Sequence, residues 1–149
     1  MNYSRWASAD CFWIEVERLY ENRGPGKPGN QMDCVKGTRA YFGFDYKNLD
    51  YIEPQTKLGE VVMRYGTKPL TSRSVWFAHN SMDKVHLPVP QRYGPTTYDG
   101  QTVHFEREGG RFIVSIGTPA DVKRWKAISV KQGLIYEMGG GRLFGFYKK

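Results

Sequence analysis

Three groups of residues in this 149-residue chain have types and spacings that could do chemistry. His104, Glu106 and Glu108 recur every second position, so in an extended segment they share one face. Arg111 follows across a Gly109-Gly110 turn signal. A histidine, a carboxylate and an arginine are what a metal-independent ribonuclease needs, as base, acid and stabiliser of a pentavalent phosphate. His104, Glu108 and Arg111 therefore form a candidate catalytic set, although the same residues on the wet side of a hairpin are common surface chemistry. The two carboxylates could also hold a divalent ion.

The second group is Gly139, Gly140 and Gly141 followed by Arg142. Consecutive glycines let backbone N–H groups approach a ligand unobstructed, and an arginine beside them is a planar clamp for phosphate. The other reading is a tight turn that packs the last strand closely. The third group is a concentration of cations. From Pro119 onward Lys123, Arg124, Lys126, Lys131, Arg142, Lys148 and Lys149 are opposed only by Asp121 and Glu137, within a formal net charge of +7. Such an excess attracts phosphate backbones or acidic protein surfaces, or simply solubilises the chain.

Several chemistries find no motif. Gly-x-Ser-x-Gly, a dinucleotide fingerprint, a P-loop and a zinc helix are all lacking, and neither Cys11 nor Cys34 has a second ligand at metal spacing. No metal and no cofactor are expected. Two cysteines read better as reduced, partly buried thiols than as a disulfide. No apolar run reaches the roughly eighteen residues of a membrane span, and Met1 to Trp13 lack the order of a secretory signal, so a cytoplasmic protein with no membrane partner is expected.

The elements that must position these groups are clearest in the last third. Thr102 to Glu108 and Arg111 to Ile116 each alternate and flank the glycine pair, as a hairpin does. Thr118, Pro119 and Asp121 start a helix that Gly133 can end in the left-handed conformation, with Val122, Trp125, Ile128 and Ser129 on its apolar side. Lys123, Arg124, Lys126 and Lys131 fall around the opposite side. Leu143 to Tyr147 reads as a closing strand. Earlier, Ser8 to Asn22 fits a helix through Phe12, Val16, Leu19 and Tyr20, while Ile14 and Val16 against Glu15 and Glu17 fit a strand; the helix is favoured. Arg23 to Asp33 is a basic Gly/Pro loop. Thr38 to Tyr46, Gly59 to Tyr65 and Ser74 to His79 read as strands, and the proline-bearing Ser81 to Tyr98 as an extended surface segment. Basic and aromatic residues interleave at Arg39, Tyr41, Phe42, Phe44, Tyr46 and Lys47, and again at Arg64, Tyr65, Arg92 and Tyr93. Exposed, such pairs stack on bases; buried, they are core, which is the reading favoured for most.

The order strand, helix, Met-Gly-Gly-Gly-Arg-Leu-Phe-Gly-Phe, closing strand over about residues 111–147 resembles the C-terminal half of the RAMP superfamily, the ferredoxin-like RNA-binding and RNA-processing proteins of CRISPR systems. The matching residues are Gly139, Gly140, Gly141, Arg142, Gly145 and Phe146. The resemblance implies an RNA-contacting loop and a ferredoxin-like C-terminal half; before Asp50 the chain departs from that pattern.

The fold expected is one α+β domain over residues 1–149, a mostly antiparallel sheet with one or two helices packed on one face. The function expected is nucleic-acid binding, RNA ahead of DNA, through Lys123, Arg124, Lys126, Lys131, Gly139, Gly140, Gly141, Arg142, Lys148 and Lys149. Two alternatives stay open: a protein-interaction or assembly component, such as a small viral or phage protein docking on a larger complex, and the small ribonuclease. Oligomeric state is not legible, and no residue set commits the chain to catalysis.

Overall fold

Strand makes up most of the regular structure among the described residues, and two further features decide how those strands curl. The computed structural model describes residues 2–19, 24–47, 49, 56–78 and 81–149. Among the described residues nine strands form one sheet: β1 Cys11–Glu15, β2 Gln31–Val35, β3 Thr56–Tyr65, β4 Thr71–Ala78, β5 Met82–His86, β6 Thr102–Glu108, β7 Arg111–Ile116, β8 Ile135–Glu137 and β9 Leu143–Tyr147. Their order is β2-β5-β4-β3-β7-β6-β1-β9-β8. Every pairing is antiparallel except β3 with β7.

The first feature is a ladder of rings. Phe12 is the direct cross-strand partner of both Phe105 and Phe146. Trp6, Phe146, Phe12 and Phe105 stack in that order, with centroids 4.6, 4.9 and 5.3 Å apart. A slip of one residue would send every ring to the other face, so this ladder pins the register of β9, β1 and β6. The second feature is the turn after β2. Gly37 adopts φ 105°, open to glycine far more than to other residues, and a 3-10 turn over Thr38–Ala40 follows. Asp83 holds this turn: its carboxylate accepts from the backbone N–H of Gly37 and Arg39 and from the Arg39 guanidinium at 2.6 Å, all buried. Tyr41 and Phe42 then plug the concave side of the sheet, where the Tyr41 hydroxyl donates to the carbonyls of Asp10 and Phe105. The sheet curls around this plug, so residues of β1 and of β2 belong to the same core.

Helix α1, Tyr3–Ser8, sits on the concave side through Trp6, and α2, Pro119–Gln132, on the convex side over β6, β1 and β9. Against the convex face Trp13 donates to Ser129 Oγ at 2.9 Å, and Ser129 donates to the Phe146 carbonyl. A side chain on Gly145 would enter the Trp13 ring, at 2.7 Å, so glycine there lets α2 approach. Val62, Val75, Phe77, Met82 and Ile113 are half-buried and pack in neither core cluster.

This architecture corrects the expected fold class. The helices do not share one face of a flat sheet: they lie on opposite faces of a strand-rich sheet that curls on itself, and a ferredoxin-like C-terminal half is not what the chain forms. The helix favoured over Ser8 to Asn22 is instead α1 followed by β1, because Cys11 and Trp13 face α2 while Phe12 and Ile14 face the core, leaving no polar stripe. Thr38 to Tyr46 is not a strand, for the reason given by Asp83. The segment Ser81 to Tyr98 is not surface: it contains β5, and Tyr98 is buried with its hydroxyl on the Pro88 carbonyl at 2.6 Å. The hairpin and the capped helix form as expected, including the reciprocal Thr118–Asp121 box and a left-handed Gly133. Tyr20 to Arg23, Asp50 and His79 lie outside the described residues. Both cysteines are buried and unlinked. Among the described residues no helix is long and apolar enough to cross a membrane.

Candidate polyanion-binding surface

The cations of the last third split into groups once the elements are in place. Helical periodicity puts Lys123, Arg124 and Lys131 on the outer side of α2, and all three are exposed. Lys126 lies on the flank instead, where it pairs with Glu15 Oε2 at 2.9 Å. It is therefore an anchor between helix and sheet.

At the C-terminal end of α2 three chain segments meet around Gln132. Arg5 of α1 donates to the Gln132 carbonyl at 2.8 Å. The Gln132 side chain brackets Lys148, donating to its carbonyl and accepting from its N–H, both at 2.8 Å. Arg5, Lys131 and Lys148 are thereby brought to one end of the helix, where positive charge also complements the helix dipole. A groove of about 660 Å³ runs on from there along α2 and β6; Arg124, Lys148 and Lys149 line it, over a floor that includes His104, Trp125 and Tyr147. Three carboxylates temper these five cations: Asp121 pairs with Arg124 at 2.9 Å, Glu106 with the Lys149 ammonium, and Asp10 accepts the Lys149 N–H. Arg5, Lys131 and Lys148 have no ion pair among the described residues.

The glycine loop stands apart. Met138 N–H donates to the Arg142 carbonyl at 2.8 Å, closing Gly139–Gly141 as the turn between β8 and β9. Gly140 and Gly141 take φ of 79° and 78°, which accounts for the glycines without a ligand. Their surroundings are acidic: a Cβ on Gly140 would lie 3.3 Å from Glu17 Oε1, and one on Gly141 3.8 Å from Glu137 Oε1. Arg142 itself turns to Glu17 at 3.9 Å and lines a different cleft. Gly139, Gly140, Gly141, Arg142 and Lys126 thus leave the group proposed from sequence, as does Lys123, which lines a separate groove with Lys126, while Arg5 joins it. Arg5 was not visible as part of it because its contact to Gln132 spans nearly the whole chain.

The candidate catalytic set does not assemble. Four residues of strand put His104 about 13 Å from Glu108 along β6. Glu108 is paired with Arg111 at 2.9 Å at the exposed tip of the hairpin. His104 is buried under α2, its ring 4.2 Å from that of Trp125 and its Nε2 2.7 Å from the Tyr147 hydroxyl. Burial, and then the charges of Lys149 and Arg124, push its pKa down to about 4, so it is neutral at pH 7. Burial also raises the Cys11 thiol above its ordinary value. The basic-aromatic run at Arg39, Tyr41 and Phe42 is core, with Arg39 spent on Asp83. No group of three or more His, Cys, Asp or Glu among the described residues is arranged to hold a metal. No family model matches this chain, and no curated protein matches it significantly.

Proposed function

We propose that this protein binds nucleic acid through the phosphate backbone, using Arg5, Arg124, Lys131, Lys148 and Lys149 along the outer flank of α2. The observation that carries the proposal is the meeting of α1, the end of α2 and the residues after β9 around Gln132, which gathers cations from three segments beside a groove. Aromatic rings there, Trp125 and Tyr147, are buried beneath the helix, so stacking on unpaired bases plays no part and the contacts are to phosphate. Phosphate is common to RNA and DNA, so this surface accepts either. Two free buried thiols fit a reducing cytoplasmic setting.

The test is fluorescence anisotropy with a labelled single-stranded RNA and a labelled duplex DNA at increasing salt. Four or five cations on phosphate give log affinity against log salt a slope of about −3 to −3.5 for the single strand and about −3.5 to −4.5 for the duplex. Absence of binding to both probes at low salt, or binding that ignores salt, would remove the proposal. Retention of an acidic protein with no retention of nucleic acid would move the same surface to that partner.

A further inference from the structure

Among the described residues the curled sheet has two edges, β2 and β8, and the gap beside β2 has the chemistry of a strand-binding site. Leu87 N–H donates to the Asn30 carbonyl at 2.7 Å, immediately beyond β2 and β5. In an antiparallel ladder, bonded pairs alternate, so with this register Met32–Val85 and Cys34–Asp83 are the bonded pairs. The N–H and C=O groups of Gln31 and Asp33 then point away from β5, along the open edge of the sheet. No described residue bonds them. An unpaired edge in a protein is a template for a further strand.

That edge forms one wall of a cleft of about 840 Å³. Glu17, after the end of β1, and Arg142, from the β8–β9 turn, also line it. Ile14, Val16, Leu19 and Met32 form an apolar floor continuous with the core. The rim is charged: Lys84 reaches Asp33 only at 3.9 Å, and Arg142 reaches Glu17 only at 3.9 Å, so both cations keep capacity for another carboxylate. A strand laid in the gap would bond its backbone to Gln31 and Asp33, turn alternate side chains inward to the floor and present the others to Lys84 and Arg142.

We infer that this cleft binds an extended peptide of alternating apolar and acidic residues by adding it as a strand to β2, a role separate from the α2 flank. Main-chain bonds supply affinity in this mode, and the floor and rim supply specificity. The chain then has a protein-docking site as well as a polyanion surface.

The probe is a fluorescein-labelled, end-blocked heptapeptide, Val-Glu-Val-Glu-Val-Glu-Val, read by anisotropy, with amide exchange followed on the protein. Saturable binding is expected, with the Gln31 and Asp33 amides becoming protected. Gln31→Pro deletes one outward donor without removing a rim charge or a β2–β5 ladder bond and should weaken binding about tenfold. Lys84→Glu, which leaves the edge intact, should weaken it about fivefold or more. The same peptide N-methylated at alternate residues should not bind. Failure of the unmodified peptide to bind the folded wild-type protein at about 1 mM would overturn the inference. Equal binding of the N-methylated peptide, or of folded Gln31→Pro, would overturn it as well. Should Gln31→Pro fail to fold, Lys84→Glu and the N-methylated peptide still decide.

Discussion

At the scale of single residues, two buried polar groups govern how stability responds to perturbation. Asp83 is fully buried and answers four donors of the 37–39 turn, counting both the Arg39 backbone and its guanidinium. Asp83→Asn keeps the shape but leaves the Arg39 charge buried and uncompensated, a loss of about 3–5 kcal/mol on urea unfolding. A change under 1 kcal/mol would mean that water, not Asp83, solvates Arg39. His104 acts through protons. Its folded pKa, about 4, lies below the ordinary 6.5, so the unfolded chain binds more protons between those values. Its contribution is therefore complete above about pH 6.5 and is lost as pH falls toward 4, up to about 3 kcal/mol. His104→Gln, which keeps a polar group near the Tyr147 hydroxyl, should lose less stability between pH 7 and 4.5 than the wild type. Equal losses would show that His104 does not titrate in this window.

At the scale of elements, α2 depends on close approach to the sheet. Gly145→Ala would drive a methyl into the Trp13 ring and against Ser129, an overpacking cost of about 1–3 kcal/mol. Because Trp13 and Ser129 bond across that contact, near-ultraviolet circular dichroism should change along with stability; an unaltered spectrum and midpoint would contradict this placement of α2. The same elements show where sequence reasoning works. Thr118, Asp121, Gly133 and the Gly109-Gly110 turn speak through local chemistry, caps and left-handed glycines, and all of these form as read. The misreadings share a different origin. Thr38 to Tyr46 has the composition of a strand, but Asp83, more than forty residues away in sequence, captures its backbone donors. Phe12 to Tyr20 shows a helical stripe by accident, since β1 is apolar on both faces and both are covered. Burial on two sides erases the period on which such reading depends. The Asn30–Leu87 contact that sets the open edge of β2 is likewise between segments that no local pattern links.

At the scale of the whole molecule, the curl of the sheet decides which cations lie together. It sends Arg142 into the cleft beside β2, while α1, α2 and the residues after β9 converge on the far flank. Sequence alone showed a run of late cations but not this division, because the division depends on Glu15 and Glu17 drawing Lys126 and Arg142 away. The comparison that bears most directly on the account is nucleic-acid affinity, by anisotropy at one low salt concentration, of two charge-matched double variants. Arg124→Glu with Lys148→Glu reverses two cations of the flank, and Lys84→Glu with Arg142→Glu reverses two of the cleft. The first pair should lower affinity at least about thirtyfold, roughly 2 kcal/mol, and the second should change it less than about threefold. Equal losses from both pairs, or a larger loss from the cleft pair, would contradict it.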